Sequence, residues 1–229
     1  MKIIFLLLAS FMVFTSCSGK NNYLEDNIAE VREYLFEGKR DNVNVTFVCG
    51  KREKDYVLNG YATELIEFGV LTFDIEDKEN YSIEKAKYVL TVGTTRYDGD
   101  LQKNPFDGTF VADIKKIINV ENSVSAKIML GEMVKEIKLE RIDSKWQISA
   151  NDILKIVSKN FKNEIKFLVE DGIFKGEIYV KTINDADMYI GDYYWYVSII
   201  SRNGGKLNAI ISTKTGEILS HNNTLDKIQ

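Results

Sequence analysis

The chain has 229 residues, with 34 acidic and 30 basic side chains and a formal net charge of −4. The two signs are mixed along the chain, and no basic block runs long enough to track a phosphate backbone, so no nucleic-acid partner is expected. One histidine and two cysteines are too few for a standard structural zinc site or a disulfide framework.

The chain opens with Lys2 and an apolar run from Ile3 to Val13, then Phe14-Thr15-Ser16-Cys17, then the polar stretch Ser18-Gly19-Lys20-Asn21-Asn22. A run of about 11 apolar residues is short for a membrane-spanning helix, which needs roughly 20, and fits an export signal. Thr15, Ser16 and Cys17 resemble the cleavage box of bacterial lipoprotein signal peptides, with Phe14 where leucine is usual. An ordinary secretion signal, with its cysteine near the cut by chance, is the alternative. The resemblance implies a signal peptide over 1–16, and a lipidated Cys17 that begins a polar tether over 17–26. It places the protein outside the cytoplasm, lipid-anchored to the cell membrane through acylated Cys17. The abundance of Lys, Ile and Asn is similar to that of lipoproteins from low-GC Gram-positive bacteria.

Residues 27–146 read as a helix followed by a β-rich domain, a sandwich or barrel-like sheet. Ile28, Val31 and Leu35 predict a helix from Asn27 to Gly38, with Asn27 and Glu30 as a capping pair. From Val43 the period becomes two, and Val43, Val45, Phe47 and Cys49 share the apolar face of a strand. That places Cys49 in the core as an inert thiol. A charged turn is expected from Gly50 to Asp55, then strand-like material from Tyr56 to Asp74 broken at Gly60 and Gly69. Ala86–Val92 predicts a strand, and 93–108 mostly loop around Asn104-Pro105-Phe106-Asp107-Gly108. Thr109–Ile114 predicts a short strand. Val124–Met129 and Val134–Ile142 predict an antiparallel pair, the second with charges of alternating sign on its solvated face.

Residues 147–229 read as an α+β module, one helix laid on an antiparallel sheet. Ser149 or Asn151 caps a helix to about Glu170, with Leu154, Val157, Phe161, Ile165 and Leu168 on one face. Asp171-Gly172 stops it. Strands then follow around Ile178, Trp195 and Ala209, with Asn203-Gly204-Gly205 as a tight hairpin and a last short strand over Ile218–Ser220. Lys175, Glu177 and Lys181 share the face opposite Phe174, Ile178 and Val180. Trp195-Tyr196-Val197-Ser198-Ile199, Asn208–Thr213 and Thr215-Gly216-Glu217-Ile218-Leu219 resemble the ending of PepSY-like and cystatin-like modules. That resemblance implies packing against a partner or inhibition of a peptidase, and no catalytic residues.

Few residues offer chemistry. Asp98, Asp100 and Asp107 cluster near glycines but lack the spacing of a calcium loop, and read as turn carboxylates. Nucleophile, zinc and phosphate-loop motifs are absent, so no metal or cofactor is expected. Tyr189, Tyr193, Tyr194, Trp195 and Tyr196 form an aromatic run in which alternation sends Tyr194 and Tyr196 away from Trp195. These two are the candidate partner-binding residues, the alternative being that they pack against the first domain. The expected function is non-catalytic, binding an envelope protein or peptide or acting as an accessory subunit. An envelope-acting hydrolase with paired carboxylates and a structural envelope component are the alternatives.

Overall fold

The computed structural model describes residues 23–55, 57, 59–76, 86–116, 118–120, 123–184 and 192–225. The signal segment, Cys17 and Tyr189 lie outside them. The fold is mostly antiparallel β-sheet, with a nearly closed barrel-like sheet and two short helices.

The first strand, β1 (Ile28–Arg40), replaces the helix expected over 27–38. Two bulges break its two-residue alternation, and Leu35, the third residue of the expected helical stripe, lies on the face opposite Ile28 and Val31. The register slips once between Ile28 and Glu30 against one neighbour and once between Arg32 and Tyr34 against the other. Each slip adds a residue to the pleat, so Ile28, Val31 and Tyr34 face one side at three-residue intervals. Two-residue alternation returns afterwards through Phe36 and Gly38, which pair with Phe47 and Val45.

β2 (Val43–Glu53) continues through the expected charged turn at Gly50, because it pairs along its whole length with β3 (Leu65–Ile75). β3 also runs unbroken through Gly69, where the sequence suggested an interruption. A Cβ there would lie 2.7 Å from the Phe47 ring and 2.6 Å from Ile118, so glycine makes room for a core aromatic. β4 (Ala86–Val92) forms as expected. The expected loop over 93–108 instead contains β5 (Thr95–Asp100) and β6 (Gln102–Lys103). β7 (Phe110–Ile114), β8 (Val124–Leu130) and β9 (Met133–Arg141) follow, with β8 and β9 paired as the sequence suggested.

The barrel path runs β6-β7-β3-β2-β1-β9-β8-β4-β5. Its ends, β5 and β6, are joined through Leu101, whose N–H donates to Ala86 O at 2.9 Å. Side chains fill the interior. Phe36, Phe47, Leu71, Phe73, Leu90, Phe110, Ile128 and Leu139 are all nearly inaccessible, as in small barrels whose inward residues are the core.

The remaining chain adds α1 (Ala150–Asn160), α2 (Lys162–Phe167), the hairpin β10 (Val169–Glu170) and β11 (Ile173–Phe174), and four long strands. The single helix expected to about Glu170 is thus two, with Phe161 at the junction in a non-helical conformation. Ser149 caps α1 in a reciprocal capping box with Asp152. β12 (Gly176–Asn184), β13 (Tyr193–Ser201), β14 (Lys206–Ser212) and β15 (Ile218–Asn223) form an antiparallel run. β12 then pairs in parallel with the start of β1, fusing this run to the barrel.

Two apolar cores result. One fills the barrel. The other joins Ile153, Leu154 and Val157 of α1 to Ile178, Val180, Trp195, Val197, Ile199, Leu207, Ala209 and Ile211. β1 serves both, giving Val31 to the second core and Phe36 to the first.

Candidate functional site

Tyr194 and Tyr196 lie on the sheet face turned away from Trp195. Trp195 is buried against α1 and donates its indole N–H to Ile148 O at 2.9 Å. Both tyrosines are half-buried. Register places Tyr194 between Ile183 and Ser212, and Tyr196 between Lys181 and Ile210. Ile183, Ile200 and Ile210 are also half-buried on this face. The Tyr196 hydroxyl donates to Asn208 Oδ1 at 3.0 Å, and Ser198 Oγ donates to the same oxygen at 2.7 Å. An ion-pair cluster forms one border. Glu30 meets Arg32 at 2.6 Å and Lys181 at 3.0 Å. The result is an apolar and aromatic patch edged by charge, the composition that suits protein contact.

Tyr193, the other described tyrosine of the run, points to the opposite side. Its hydroxyl donates to Glu37, and its ring lies 5.9 Å from that of Trp146. Burial raises its pKa, and the neighbouring Glu37 carboxylate adds to the shift.

The second bulge of β1 sets Glu33 at the rim of two clefts. A cleft of about 350 Å³ is lined by Glu33, Tyr34, Arg141, Asp143, Trp146 and the start of α1. Another, of about 300 Å³, is lined by Glu33, Tyr34, Cys49, Glu67, Phe68 and Ile118. Their arginine and two of their three acids are engaged. Arg141 grips Asp143 Oδ2 through Nε at 2.9 Å and Nη2 at 2.8 Å, and its guanidinium lies 4.8 Å from the centre of the Tyr34 ring. Asp143 Oδ1 accepts from the Leu35 N–H at 2.9 Å. Glu67 Oε2 accepts from the Ile118 N–H at 3.1 Å. Glu33 has no hydrogen bond or ion pair among the described residues. Burial, reinforced by Glu33, raises the Tyr34 pKa. Cys49, 2% exposed, has its thiol pushed up to about 12 by burial and then by Asp143 and Glu33. A thiol so raised is a poor nucleophile at neutral pH.

Two buried carboxylates fasten the segment between β2 and β3. Glu177 is fully buried. Its Oε1 accepts from the backbone N–H groups of Asn59 and Gly60 at 2.8 and 2.7 Å, and its Oε2 accepts from Tyr179 O–H at 2.6 Å. Gly60 has φ +80°, and a Cβ there would stand 2.8 Å from the Arg202 Cα. Tyr61 extends the same junction, its hydroxyl accepting from Lys175 at 3.2 Å and Arg202 at 3.1 Å. Glu53, 3% exposed, accepts from the Thr63 N–H at 2.6 Å through Oε1, while its buried Oε2 has no partner among the described residues. Burial raises the Glu53 pKa.

The aspartates of the expected loop are divided between β5 and the turn before β7. Asp98 and Asp100 sit on β5, the first beside Arg96 at 3.7 Å. Asp107 accepts from Thr109 N–H and O–H at 2.9 and 2.7 Å, an ordinary turn role. Among the described residues no group of three or more His, Cys, Asp or Glu side chains is placed to hold a metal ion. His221, on β15, is exposed, with its ring beside that of Phe161, a residue of the other core from Cys49. No helix among the described residues is long and apolar enough to cross a membrane.

The sequence pointed to Tyr194 and Tyr196, but not to Glu33, Asp143 or Glu177. The only sign of Glu33 was a break in two-residue alternation, and it was indistinguishable from a helical period. No protein family, curated protein or solved structure matches the chain.

Proposed function

We propose that this protein is an exported lipoprotein, held at the extracytoplasmic face of the cell membrane by acylated Cys17. In this reading it serves as a non-catalytic binding or accessory protein that contacts an envelope protein or peptide. One observation carries the binding part: Tyr194, Tyr196 and the neighbouring isoleucines remain partly accessible on the face of β12–β15 opposite α1. Tyrosines offer a large contact area with a polar tip and lose little conformational freedom on binding. The cleft chemistry favours binding over hydrolysis. Paired-carboxylate catalysis needs two free acids converging on one bond. Of the acids lining the two clefts, Asp143 and Glu67 are held by backbone N–H groups, leaving Glu33 alone.

We also propose that residues 147–229 form an α+β module with α1 on the sheet, in the manner of PepSY-like and cystatin-like modules. The core that α1 shares with Ile178, Trp195 and Ala209 supports this.

A photo-crosslinking amino acid at Tyr194, in cells expressing the full chain, tests the binding surface. A discrete crosslinked protein that is lost on Tyr196→Ala supports it, and no adduct above that of a crosslinker at exposed Leu219 refutes it. Intact-mass analysis of the membrane-extracted protein tests the anchor. A diacylated N-terminal Cys17 is expected, and an unmodified mature form overturns the reading.

A further inference from the structure

The chain enters the fold at one particular corner. The Tyr23 ring stacks on that of Phe174, with centroids 6.4 Å apart and planes 19° from parallel. Leu24 is buried in the core with Phe161, Ile165, Leu168 and Phe174. Asn27 Nδ2 donates to Tyr23 O at 2.8 Å and fixes the entering turn. The amino end is therefore tied to the β10–β11 hairpin.

That same hairpin and the helix end before it expose apolar side chains. Phe167, the last residue of α2, is 72% exposed, and Ile173, the first of β11, is 53% exposed. Their neighbours Leu168 and Phe174 are buried, so the segment is well anchored beneath them. Lys162, Lys166 and Lys175 flank it, together with Glu164, Glu170 and Asp171. With the charges balanced, the contact surface they border is apolar rather than electrostatic. A helix end and hairpin that show a phenylalanine and an isoleucine beside lysines have the amphipathic character of an interfacial element.

Chain length turns this into a geometric constraint. Tyr23 is six residues beyond Cys17, and an extended chain spans at most about 3.6 Å per residue, so the tether reaches about 20 Å. On the reading that Cys17 carries the lipid, this corner is held within that distance of the bilayer surface.

We propose that Phe167 and Ile173 enter the headgroup–acyl boundary of the membrane that anchors the chain, as a second, non-covalent lipid contact. The contact rests on the lipid-anchor reading and adds an orientation to it: the β10–β11 corner faces the membrane. A single flexible tether would leave the domain free to tumble, whereas two points of attachment restrict which faces look outward.

The test separates this contact from acylation itself. The mature chain beginning at Cys17 is coupled through that thiol to maleimide-bearing phosphatidylcholine vesicles containing brominated lipid, Cys49 being buried. Ile173→Trp is compared with Phe106→Trp, placed in the 96%-exposed turn between β6 and β7. The fluorescence added by Ile173→Trp is expected to fall about twofold or more on brominated lipid, as for an indole at the interface. That added by Phe106→Trp should stay unchanged. Equal quenching at both sites, or at neither, overturns the proposal while leaving the acyl anchor untouched. Conversely, an unacylated Cys17 in the cellular protein would overturn the anchor whatever the quenching shows.

Discussion

The Tyr179 hydroxyl donates to Glu177 Oε2 at 2.6 Å, two residues away on the same strand, inside a site closed by the backbone of Asn59 and Gly60. Glu177 thus ties β12 directly to the β2–β3 connection. Removing it takes the acceptor from the buried Gly60 N–H and from the Asn59 N–H at its edge, and takes one partner from the Tyr179 hydroxyl. Glu177→Ala is expected to lower stability by about 2–4 kcal/mol in urea unfolding, and Glu177→Gln, which keeps an acceptor, by clearly less. Gly60→Ala should cost about 1–3 kcal/mol through its positive φ, before the clash with Arg202 is added. Equal stabilities for Glu177→Ala and the parent protein would contradict the arrangement.

Glu53 has the opposite effect. Its pKa is raised in the folded state by burial, so the native protein disfavours the ionised form. At pH below the unfolded-chain value near 4.3 both states are protonated and the group contributes nothing. As pH rises through the raised native value, the folded state holds more protons than the unfolded one and stability declines. Glu53→Gln should therefore match the parent in acid and exceed it at neutral pH. Urea midpoints compared from about pH 4 to pH 8 check this, and a gap that narrows with rising pH contradicts it.

Cys49 should be silent in the native protein. With its thiol pushed up to about 12 and 2% exposed, it should fail to react with Ellman's reagent at neutral pH in a Cys17→Ser background. One equivalent should react after denaturation. Fast native labelling would show that the barrel opens at this strand.

Ser149→Ala should destabilise the protein by about 1 kcal/mol by removing the capping box at the start of α1. Ser144→Ala, which removes only an exposed bond to Arg141 O, serves as the comparison and should lie within about 0.5 kcal/mol of the parent. The measurement is thermal or urea unfolding followed by far-UV circular dichroism.

Alternation made β4, β8, β9, β13, β14 and the first half of β2, Val43–Cys49, readable, because each has one face against a core and one toward solvent. β1 was misread because its first bulge sets Ile28 and Val31 three residues apart on one face, and Leu35, which completed the helical spacing, lies on the opposite face of the strand. β5 was missed because only Tyr97 among its six residues is buried, so Thr95-Arg96 and Asp98-Gly99-Asp100 read as turn. Its strand character comes from pairing with β4. At the candidate site, the outward direction of Tyr194 and Tyr196 follows from period two alone. The burial of Glu177 does not, since its cover arrives from Gly60, 117 residues earlier in the chain.

β1 is an early strand whose parallel neighbour β12 is a late one. As the chain folds, residues 28–31 must wait for 178–180 before that ladder can close. The wait leaves a row of unsatisfied peptide groups open to wrong partners, and such long-range closures slow folding. Shortening the protein from its carboxyl end should therefore harm the amino-terminal strand as much as the part removed, and refolding should be slow with a strong tendency to aggregate at high concentration.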